Sequence, residues 1–341
     1  MQNLTVAGRL LITAIVLIGI YFGIRYFTDH RAPAPATTSA VATPADRPSP
    51  SATDVAATNE ETPPATAPAS GERVPFAYSA PEPTGGILRG VVELGASGFN
   101  SFIVRTDAQH NWKLNKAEFG NSLVMENMAT DEDVRTGLKS YIAKMLDYGV
   151  AGKNIHFVVS SGALKAEGTQ KIIKQLAKLN YVVNTVTPEK EGVLGLRSVL
   201  PPSYAGKAFV ADIGSGNTKI SWLANGTPKS VETYGAKYFE QGASDATVAT
   251  EVKAKAEQIP TSLRQTCFII GGVPFEMAKQ VRKGSERYTV LDAPSAYKLD
   301  NAKSKAGLNI YRSLAEATGC QQFVFDWDAN FTIGYLLTLP Q

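Results

Sequence analysis

Residues 208–223 combine the residue types that phosphate chemistry requires. The stretch opens with an apolar run that predicts a buried strand, and it closes with an alternating pattern that predicts a second strand. Asp212 stands at the end of the first strand, and Gly214 and Gly216 follow in the turn. Glycine lets a backbone approach phosphate closely, and an aspartate can hold Mg²⁺ directly or through water. Because short glycine-rich patterns recur by chance, this stretch taken alone favours a plain hairpin turn.

Two further stretches place carboxylates in comparable settings. Glu93 closes a predicted strand at 88–94, and a glycine-rich turn and a second strand follow it. Glu191 lies in the first turn of a predicted helix that Pro188 opens. A lone glutamate is most often a solvated helix carboxylate, but its place between the two strand-turn-strand units favours a function for Glu191.

The elements that must position these residues repeat in two halves of the chain, 85–203 and 204–341. In each half, the sequence pattern predicts three strands of an antiparallel sheet, followed by alternating helices and strands. The two strand-turn-strand units should then face each other across a cleft, the usual place for a ligand. The sequence thus predicts an α/β fold of two related domains. Its strands are predicted at 88–94, 101–105, 112–114, 155–160, 181–185, 209–213, 219–223, 229–233, 266–270, 288–291 and 322–325.

The same stretches resemble the phosphate motifs of the exopolyphosphatase/guanosine pentaphosphate phosphatase (Ppx/GppA) family, a branch of the actin, hexokinase and chaperone-ATPase (ASKHA) superfamily. Residues 212–219, DIGSGNTK, resemble the family's DIGGGSTE, which is the most specific match. Residues 93–102, ELGASGFNSF, resemble its first phosphate loop, DLGSNSF, with residues inserted. Residues 187–192, TPEKEG, resemble SGEEEA on the helix whose acidic residue is taken to activate water. Weaker matches are SSGA at 160–163 and the glycine pair at 271–272.

This resemblance covers residues 88–337 and implies two ribonuclease-H-like (actin-like ATPase) domains with a cleft between them. It also implies a Mg²⁺-dependent phosphatase that hydrolyses a phosphoanhydride in polyphosphate, a nucleotide polyphosphate or ATP. Glu93 and Asp212 would hold Mg²⁺, and Glu191 would act on the attacking water as the third catalytic residue. The residues implied to contact phosphate or nucleoside are Gly95, Ala96, Ser97, Gly214, Ser215, Gly216, Asn217, Thr218, Gly271 and Gly272.

Three departures from the family pattern leave a second interpretation open. Glu93 replaces an aspartate, the first loop is longer, and Lys219 replaces an acidic residue. These changes fit altered chemistry, or a nucleotide-binding actin-like scaffold or degenerate relative that binds without turnover. A lysine at 219 could meet an anionic substrate. Such a lysine is more often a surface charge than a ligand, so Lys219 is not counted among the predicted site residues.

Composition narrows the remaining classes of protein. A length of 341 residues leaves room for two domains with sizeable cores. The formal net charge of +3 gives no sign of a nucleic-acid partner. Cys267 and Cys320 provide neither a disulfide framework nor metal-ligand spacing, and the three scattered histidines offer no recognisable zinc site or catalytic triad. A homodimer is an arrangement that the sequence leaves open.

The N-terminal part of the chain predicts a membrane anchor followed by a linker. Residues 10–24 are uncharged, and the flanking arginines can snorkel, so one spanning helix is expected near 10–27 within the anchor segment 1–31. A cleavable signal peptide is the alternative, but bulky residues follow the apolar run. Residues 32–84 are rich in Pro, Ala and Thr and predict a disordered linker. The flanking charges lean slightly toward a cytoplasmic folded part at a bacterial inner membrane.

Overall fold

The computed structural model describes residues 76–95, 98–119, 131–164 and 167–340. The predicted anchor and most of the predicted linker therefore lie outside the described residues. Among the residues that are described, no helix is both long enough and apolar enough to cross a membrane.

The first sheet has five strands, with two helices packed on one face. These elements are β1 (Ile87–Gly95), β2 (Gly98–Thr106), β3 (Trp112–Phe119), α1 (Asp131–Asp147), β4 (Ile155–Val159), α2 (Glu167–Lys178) and β5 (Val183–Thr185). The strand order is β3-β2-β1-β4-β5, in which β1 to β3 are antiparallel and β4 and β5 run parallel to β1. Leu138 of α1 and Leu176 of α2 are fully buried with Leu94 of β1, which forms a core on that face.

The second sheet repeats this order and adds one edge strand. Its elements are β6 (Ala208–Ile213), β7 (Asn217–Ala224), β8 (Thr227–Tyr234), α4 (Asp245–Ala256), β9 (Thr266–Gly271), α5 (Gly272–Val281), β10 (Tyr288–Val290), α6 (Ala302–Thr318) and β11 (Gln322–Asp326). The strand order is β8-β7-β6-β9-β11-β10, and the added strand β10 is antiparallel to β11. Helices α4, α5 and α6 contribute Val252, Met277 and Ile310 to one buried core with β6 and β9.

Two helices occupy the region where the sheets approach each other: α3 (Pro188–Val199) and α7 (Phe331–Leu336). Leu194 of α3 packs with Phe331 of α7 and with Val91 of the first sheet. Further along α3, Leu196 and other side chains pack with β6 and β9 of the second sheet. The hydroxyl of Thr187 caps α3 by accepting the N–H of Lys190 at 3.2 Å. Helix α3, whose first turn carries Glu191, is therefore packed against both sheets.

A pair of glycines tests this packing. A Cβ added to Gly334 of α7 would overlap the carbonyl oxygen of Leu194, whereas a Cβ on Gly195 of α3 would meet only Phe331, at 4.0 Å. Gly334→Ala is therefore expected to lower the free energy of unfolding by about 1–3 kcal/mol. Gly195→Ala should instead raise it by about 0.5–1 kcal/mol, because alanine restricts the unfolded chain. Urea denaturation of both variants measures the difference, and shifts of the same sign would contradict this packing of α3 on α7.

Residues 76–84, which the sequence assigned to the linker, make defined contacts with both sheets. The ring of Phe76 meets that of Phe268 in the second sheet edge to face, with centroids 5.5 Å apart. The N–H of Thr84 donates to Oδ2 of Asp107, just after β2, at 3.0 Å. This segment therefore joins the second sheet to the first before β1 begins.

The two sheets agree with the predicted α/β fold of two ribonuclease-H-like domains, while the domain boundaries remain a prediction. The sequence predicts a helix near 308–318, whereas α6 begins earlier, at Ala302. A Cβ at Gly307 would lie 2.5 Å from the side chain of Val273, so this glycine lets α6 pack on α5. The helix starts earlier because Asn301 accepts the N–H of Ser304 at 2.8 Å.

Candidate functional site

Glu93 and Asp212 lie at equivalent places near the carboxyl ends of β1 and β6. Glu93 is opposite Asn100 of β2, and Asp212 is opposite Lys219 of β7. Val91 packs with α3 and α7, and side chains alternate along a strand, so Glu93 faces the same two helices. The repeated topology therefore supplies the first two predicted carboxylates.

Two asparagine amides hold the carboxylate of Glu93. Its Oε2 accepts from Nδ2 of Asn100 at 2.8 Å and from Nδ2 of Asn330 at 3.0 Å. Asn330 is the N-cap of α7, and its Oδ1 accepts the N–H of Thr332 at 2.9 Å and the hydroxyl of Thr332 at 2.7 Å. The cap fixes the amide so that its NH₂ group is turned toward Glu93. The last helix of the chain thus positions a carboxylate of the first strand.

Glu191 is almost fully buried, with 2% of its surface exposed. Its Oε1 forms an ion pair with Nζ of Lys219, and its Oε2 accepts the N–H of Ser161 at 2.6 Å. Its position in the first turn of α3 also favours a negative charge, because the partial positive charge of a helix lies there. The interpretation of Lys219 as a surface charge is wrong, because strand β7 turns it inward and only 3% of it is exposed.

Burial raises the pKa of each of the two strand carboxylates. The pKa of Glu93 is raised to about 7, chiefly by burial; the charges of Glu191 and Asp212 add to the rise, and the amide hydrogen bonds oppose it. The pKa of Asp212 is raised to about 6, again chiefly by burial, with Lys219 opposing and Glu191 adding. Glu93, Glu191, Asp212 and Lys219 are here called the charge cluster. Three carboxylates and one ammonium leave it with negative charge in excess when all are ionised.

The second glycine-rich loop, residues 214–217 after β6, is held in place through its own carbonyl groups. The N–H of Gly214 donates to the carbonyl of Asn217 at 3.1 Å and closes the turn. The carbonyls of Gly214 and Ser215 accept the N–H groups of Ala236 and Lys237, each at 2.9 Å. The acceptors of this turn are thus engaged by the chain that follows β8, an arrangement that favours an anion as its ligand.

The predicted SSGA segment packs directly on this loop. A Cβ added to Gly216 would lie 3.1 Å from the Cα of Gly162, so glycine at both positions lets the two backbones approach. Nδ2 of Asn217 donates to Oγ of Ser161 at 3.0 Å and to Oε1 of Glu232 at 3.1 Å. Ser161 therefore contacts both the loop and Glu191, which links the loop to α3.

Thr218 lies on the other side of β7 from the charge cluster. The side chains of Asn217 and Lys219 bond to Ser161 and Glu191 on one side of the strand. Ile220, in contrast, belongs to the core that includes α4, α5 and α6. Alternation places the Thr218 side chain with Ile220. Its hydroxyl is fully buried and has no hydrogen-bond partner among the described residues. The Thr218 side chain therefore lies on the face of the sheet that carries this core.

The remaining predicted contact residues lie at strand ends beside the two loops. Gly95 closes β1, while Ala96 and Ser97 are outside the described residues. Gly271 has a φ of 113°, and a Cβ there would overlap the carbonyl oxygen of Ile213, so only glycine fits this junction of β9 and α5. Gly272 begins α5 next to it. The glycine pair therefore adjoins the strand that carries Asp212.

A polar cavity with a volume of about 420 Å³ opens beside the second loop. It lies between β8 and α4, and Gly216, Asn217, Glu232, Tyr234, Glu251 and Lys255 are among its lining residues. Its volume is in the range of small-ligand pockets. Within the described ranges, no group of three or more His, Cys, Asp or Glu side chains is arranged to hold a metal ion.

The sequence pattern does not indicate several residues of the site. Asn100, Ser161 and Asn330 each donate a hydrogen bond to a predicted carboxylate, and Lys219 forms an ion pair with one. The sequence carries a usable signal for Asn330, since an asparagine two residues before a threonine at a helix start is a common cap. No comparable signal marks Lys219, because its burial depends on the packing of α3 against β7.

Comparison with known proteins identifies the architecture. No protein-family model matches the chain, and no curated protein does. The Ppx/GppA phosphatase of Aquifex aeolicus superposes with a TM-score of 0.54 at 13% identity, over 74% of this chain and 99% of that one. An exopolyphosphatase from Cytophaga hutchinsonii gives 0.58 at 11% identity, over 74% and 97%. An exopolyphosphatase-like protein gives 0.57 at 12% identity, over 75% and 98%.

At these identities the likeness is one of fold. It agrees with the resemblance carried by the glycine-rich motifs and with the repeated strand order of the two sheets. The chain has the fold of the Ppx/GppA phosphatase structures.

Proposed function

We propose that this chain is a Mg²⁺-dependent phosphatase that hydrolyses a phosphoanhydride at the charge cluster. The observation that carries the proposal is the convergence of Glu93, Asp212 and Glu191. These three residues come from separate elements, β1, β6 and α3. Glu191 pairs with Lys219, which is opposite Asp212 on the neighbouring strand, and Glu93 faces α3. The substrate would be a phosphate chain, either polyphosphate or a nucleotide polyphosphate such as ATP.

The donor set of the cluster suits Mg²⁺. Magnesium prefers oxygen ligands and usually keeps several waters, so one or two carboxylates and a substrate phosphate complete its shell. Glu93 and Asp212 supply two carboxylates in a setting that already raises the pKa of both. When bound, the ion would neutralise charge that develops on the phosphate oxygens. These two residues would hold it.

Hydrolysis itself would fall to Glu191 and the second loop. A water oxygen attacks the terminal phosphorus while the proton of that water passes to the Glu191 carboxylate. The bridging P–O bond breaks, and the leaving chain is one phosphate shorter. The backbone of residues 214–217 would orient the phosphate, and Ser161 would keep Glu191 in place through its N–H.

Binding without turnover is the second candidate function. It is favoured by one observation, which is that both oxygens of Glu191 already have partners. The ion pair with Lys219 and the hydrogen bond from Ser161 hold this carboxylate before any water arrives. In that case the chain would act as a nucleotide-binding scaffold of the actin-like type.

Phosphate release separates the two functions. The purified full-length protein is incubated with tripolyphosphate, long-chain polyphosphate, ATP or GTP, with Mg²⁺ or with EDTA. A phosphatase releases inorganic phosphate from at least one of them, and EDTA abolishes the release. Ligand binding with no release above the buffer control would leave the scaffold.

Mg²⁺ affinity is expected to rise with pH. The pKa values of about 7 for Glu93 and about 6 for Asp212 mean that protons compete with the metal near neutral pH. From pH 6 to pH 8 the fraction with both groups ionised grows, so the dissociation constant should fall roughly 10- to 20-fold. Isothermal titration calorimetry at the two pH values measures this. An affinity that does not change between pH 6 and 8 would contradict the assignment.

The same shifts fix the sign of the pH dependence of stability. Both native pKa values lie above the ordinary values of 4.5 and 3.8, so the native state binds protons more tightly than the unfolded chain does. These two groups therefore stabilise the metal-free fold at low pH, and that contribution is lost as the pH rises from about 4 through about 7. Added Mg²⁺ should raise the melting temperature more at pH 8 than at pH 5.

We also propose, on the sequence alone, that a helix near 10–27 anchors the protein in the bacterial inner membrane with its folded part in the cytoplasm. The folded part would then meet Mg²⁺ and nucleotide. A cysteine introduced into the linker should resist a membrane-impermeant thiol reagent in intact cells. Labelling of that cysteine before lysis would place the linker on the outer side.

A further inference from the structure

Lys219 is a buried cation at the centre of the candidate site. Its position corresponds to an acidic residue in the motif that the second loop resembles, so the local charge is inverted. Its Nζ would lie 3.9 Å from a Cβ added to Gly214, which places the ammonium beside the backbone of the second loop. The same ammonium pairs with Glu191, and Lys219 is opposite Asp212 on the neighbouring strand.

The ammonium has three N–H donors and gives one of them to Glu191, so a phosphate beside it competes with that carboxylate for the same positive charge. An ammonium is a compact point charge that binds phosphate well. A phosphate on the turn at 214–217 would lie next to Nζ and would bring further negative charge into a cluster that already has an excess. The exchange of Glu191 for phosphate would keep the ammonium paired and would spread the negative charge.

We propose that Lys219 is a phosphate ligand that Glu191 holds in the ligand-free protein. The arriving phosphate takes the ammonium from Glu191, and this exchange frees the carboxylate oxygen that accepts the proton of water. Lys219 would then couple occupancy of the second loop to the availability of the base. The inference deepens the proposed function, since it assumes that a phosphate chain binds at this loop.

In this proposal Glu191 competes with the phosphate for Lys219, so removal of the Glu191 charge should strengthen phosphate binding. Glu191→Gln removes the competing charge, so tripolyphosphate should bind about 10-fold more tightly than it does to wild type, a typical effect for one charged hydrogen bond. The double variant Glu191→Gln/Lys219→Met also removes the ammonium. It should bind roughly 10- to 100-fold more weakly than Glu191→Gln. If Lys219 only supported the fold, the two variants would bind tripolyphosphate equally, because the gain from removing the Glu191 charge would be the same in both.

Isothermal titration calorimetry with tripolyphosphate measures both changes, with Mg²⁺ and with EDTA. The double variant carries no unpaired buried charge from this ion pair, and its circular dichroism melt checks that it folds. Lys229→Met serves as the matched control, because Lys229 is an exposed lysine of β8. It should bind as wild type does.

Each outcome decides between the two proposals. Equal affinities of Glu191→Gln and the double variant would overturn the assignment of Lys219 as a ligand, while tripolyphosphate binding to wild type would still support the proposed function. No gain of affinity in Glu191→Gln would overturn the exchange of partners. Absence of binding to wild type in Mg²⁺ would overturn the proposed function and this inference with it.

Discussion

Replacing Glu191 with glutamine is expected to slow phosphate release by about 10²–10⁴-fold, the usual loss when a general base is removed. The amide keeps the shape of the side chain and can still accept the N–H of Ser161, but it cannot take the proton of water. Binding of Mg²⁺-tripolyphosphate should persist. Initial rates of phosphate release under saturating substrate measure the effect.

Two controls make this result specific. Glu189→Gln changes an exposed glutamate in the same helical turn and should leave the rate unaltered. Because Glu191→Gln also leaves the buried ammonium of Lys219 without a carboxylate, its melting temperature is expected to fall. Rates are therefore compared well below the melting temperature of both proteins. Turnover equal to wild type would remove Glu191 from the proposed chemistry.

Asp212→Asn is expected to abolish most Mg²⁺-dependent binding. Loss of this charge should weaken Mg²⁺-tripolyphosphate binding by at least about 100-fold. Removal of a group that only supports a metal ligand already costs up to about 100-fold in affinity. The reason is that Asp212 lies next to the second loop and is one of only two carboxylates proposed to hold the ion. Calorimetric titration in the presence of Mg²⁺ gives the dissociation constants.

The melting temperature of Asp212→Asn should not fall, although its affinity for Mg²⁺-tripolyphosphate does. The pKa of Asp212 is raised to about 6 chiefly by burial, so its charge at pH 8 disfavours the metal-free fold. The asparagine variant should melt at the same temperature as wild type or higher at that pH. Asp147→Asn, at the exposed end of α1, is the matched control for both measurements. Unweakened binding by Asp212→Asn would exclude it as a metal ligand.

The strands that carry the candidate site could be predicted because their signals are local. The apolar run before Asp212, the glycines after it and the alternation beyond them lie within one short stretch. The structure places β6 and β7 there, with bounds close to those expected. A similar stretch around Glu93 predicts that the first sheet has the same arrangement as the second. The structure shows the same strand order in both sheets.

The partners of the carboxylates could not be predicted, because they come from distant parts of the chain. Asn330 reaches Glu93 only because α7 folds back onto the first sheet, and no local pattern records that path. The burial of Lys219 could not be predicted, since alternation along β7 does not say which face meets α3. Ser161 likewise contacts Glu191 through packing of its segment on the second loop.

A double-variant cycle of phosphate release tests most directly whether the charge cluster is one hydrolytic site. Rates are measured for wild type, Glu191→Gln, Asp212→Asn and the variant that carries both changes, each with Mg²⁺. Residues that act as a unit give non-additive losses. We expect the double variant to be no slower than the slower single variant, within about 3-fold. Losses that multiply, or a wild type that releases no phosphate, would contradict the account.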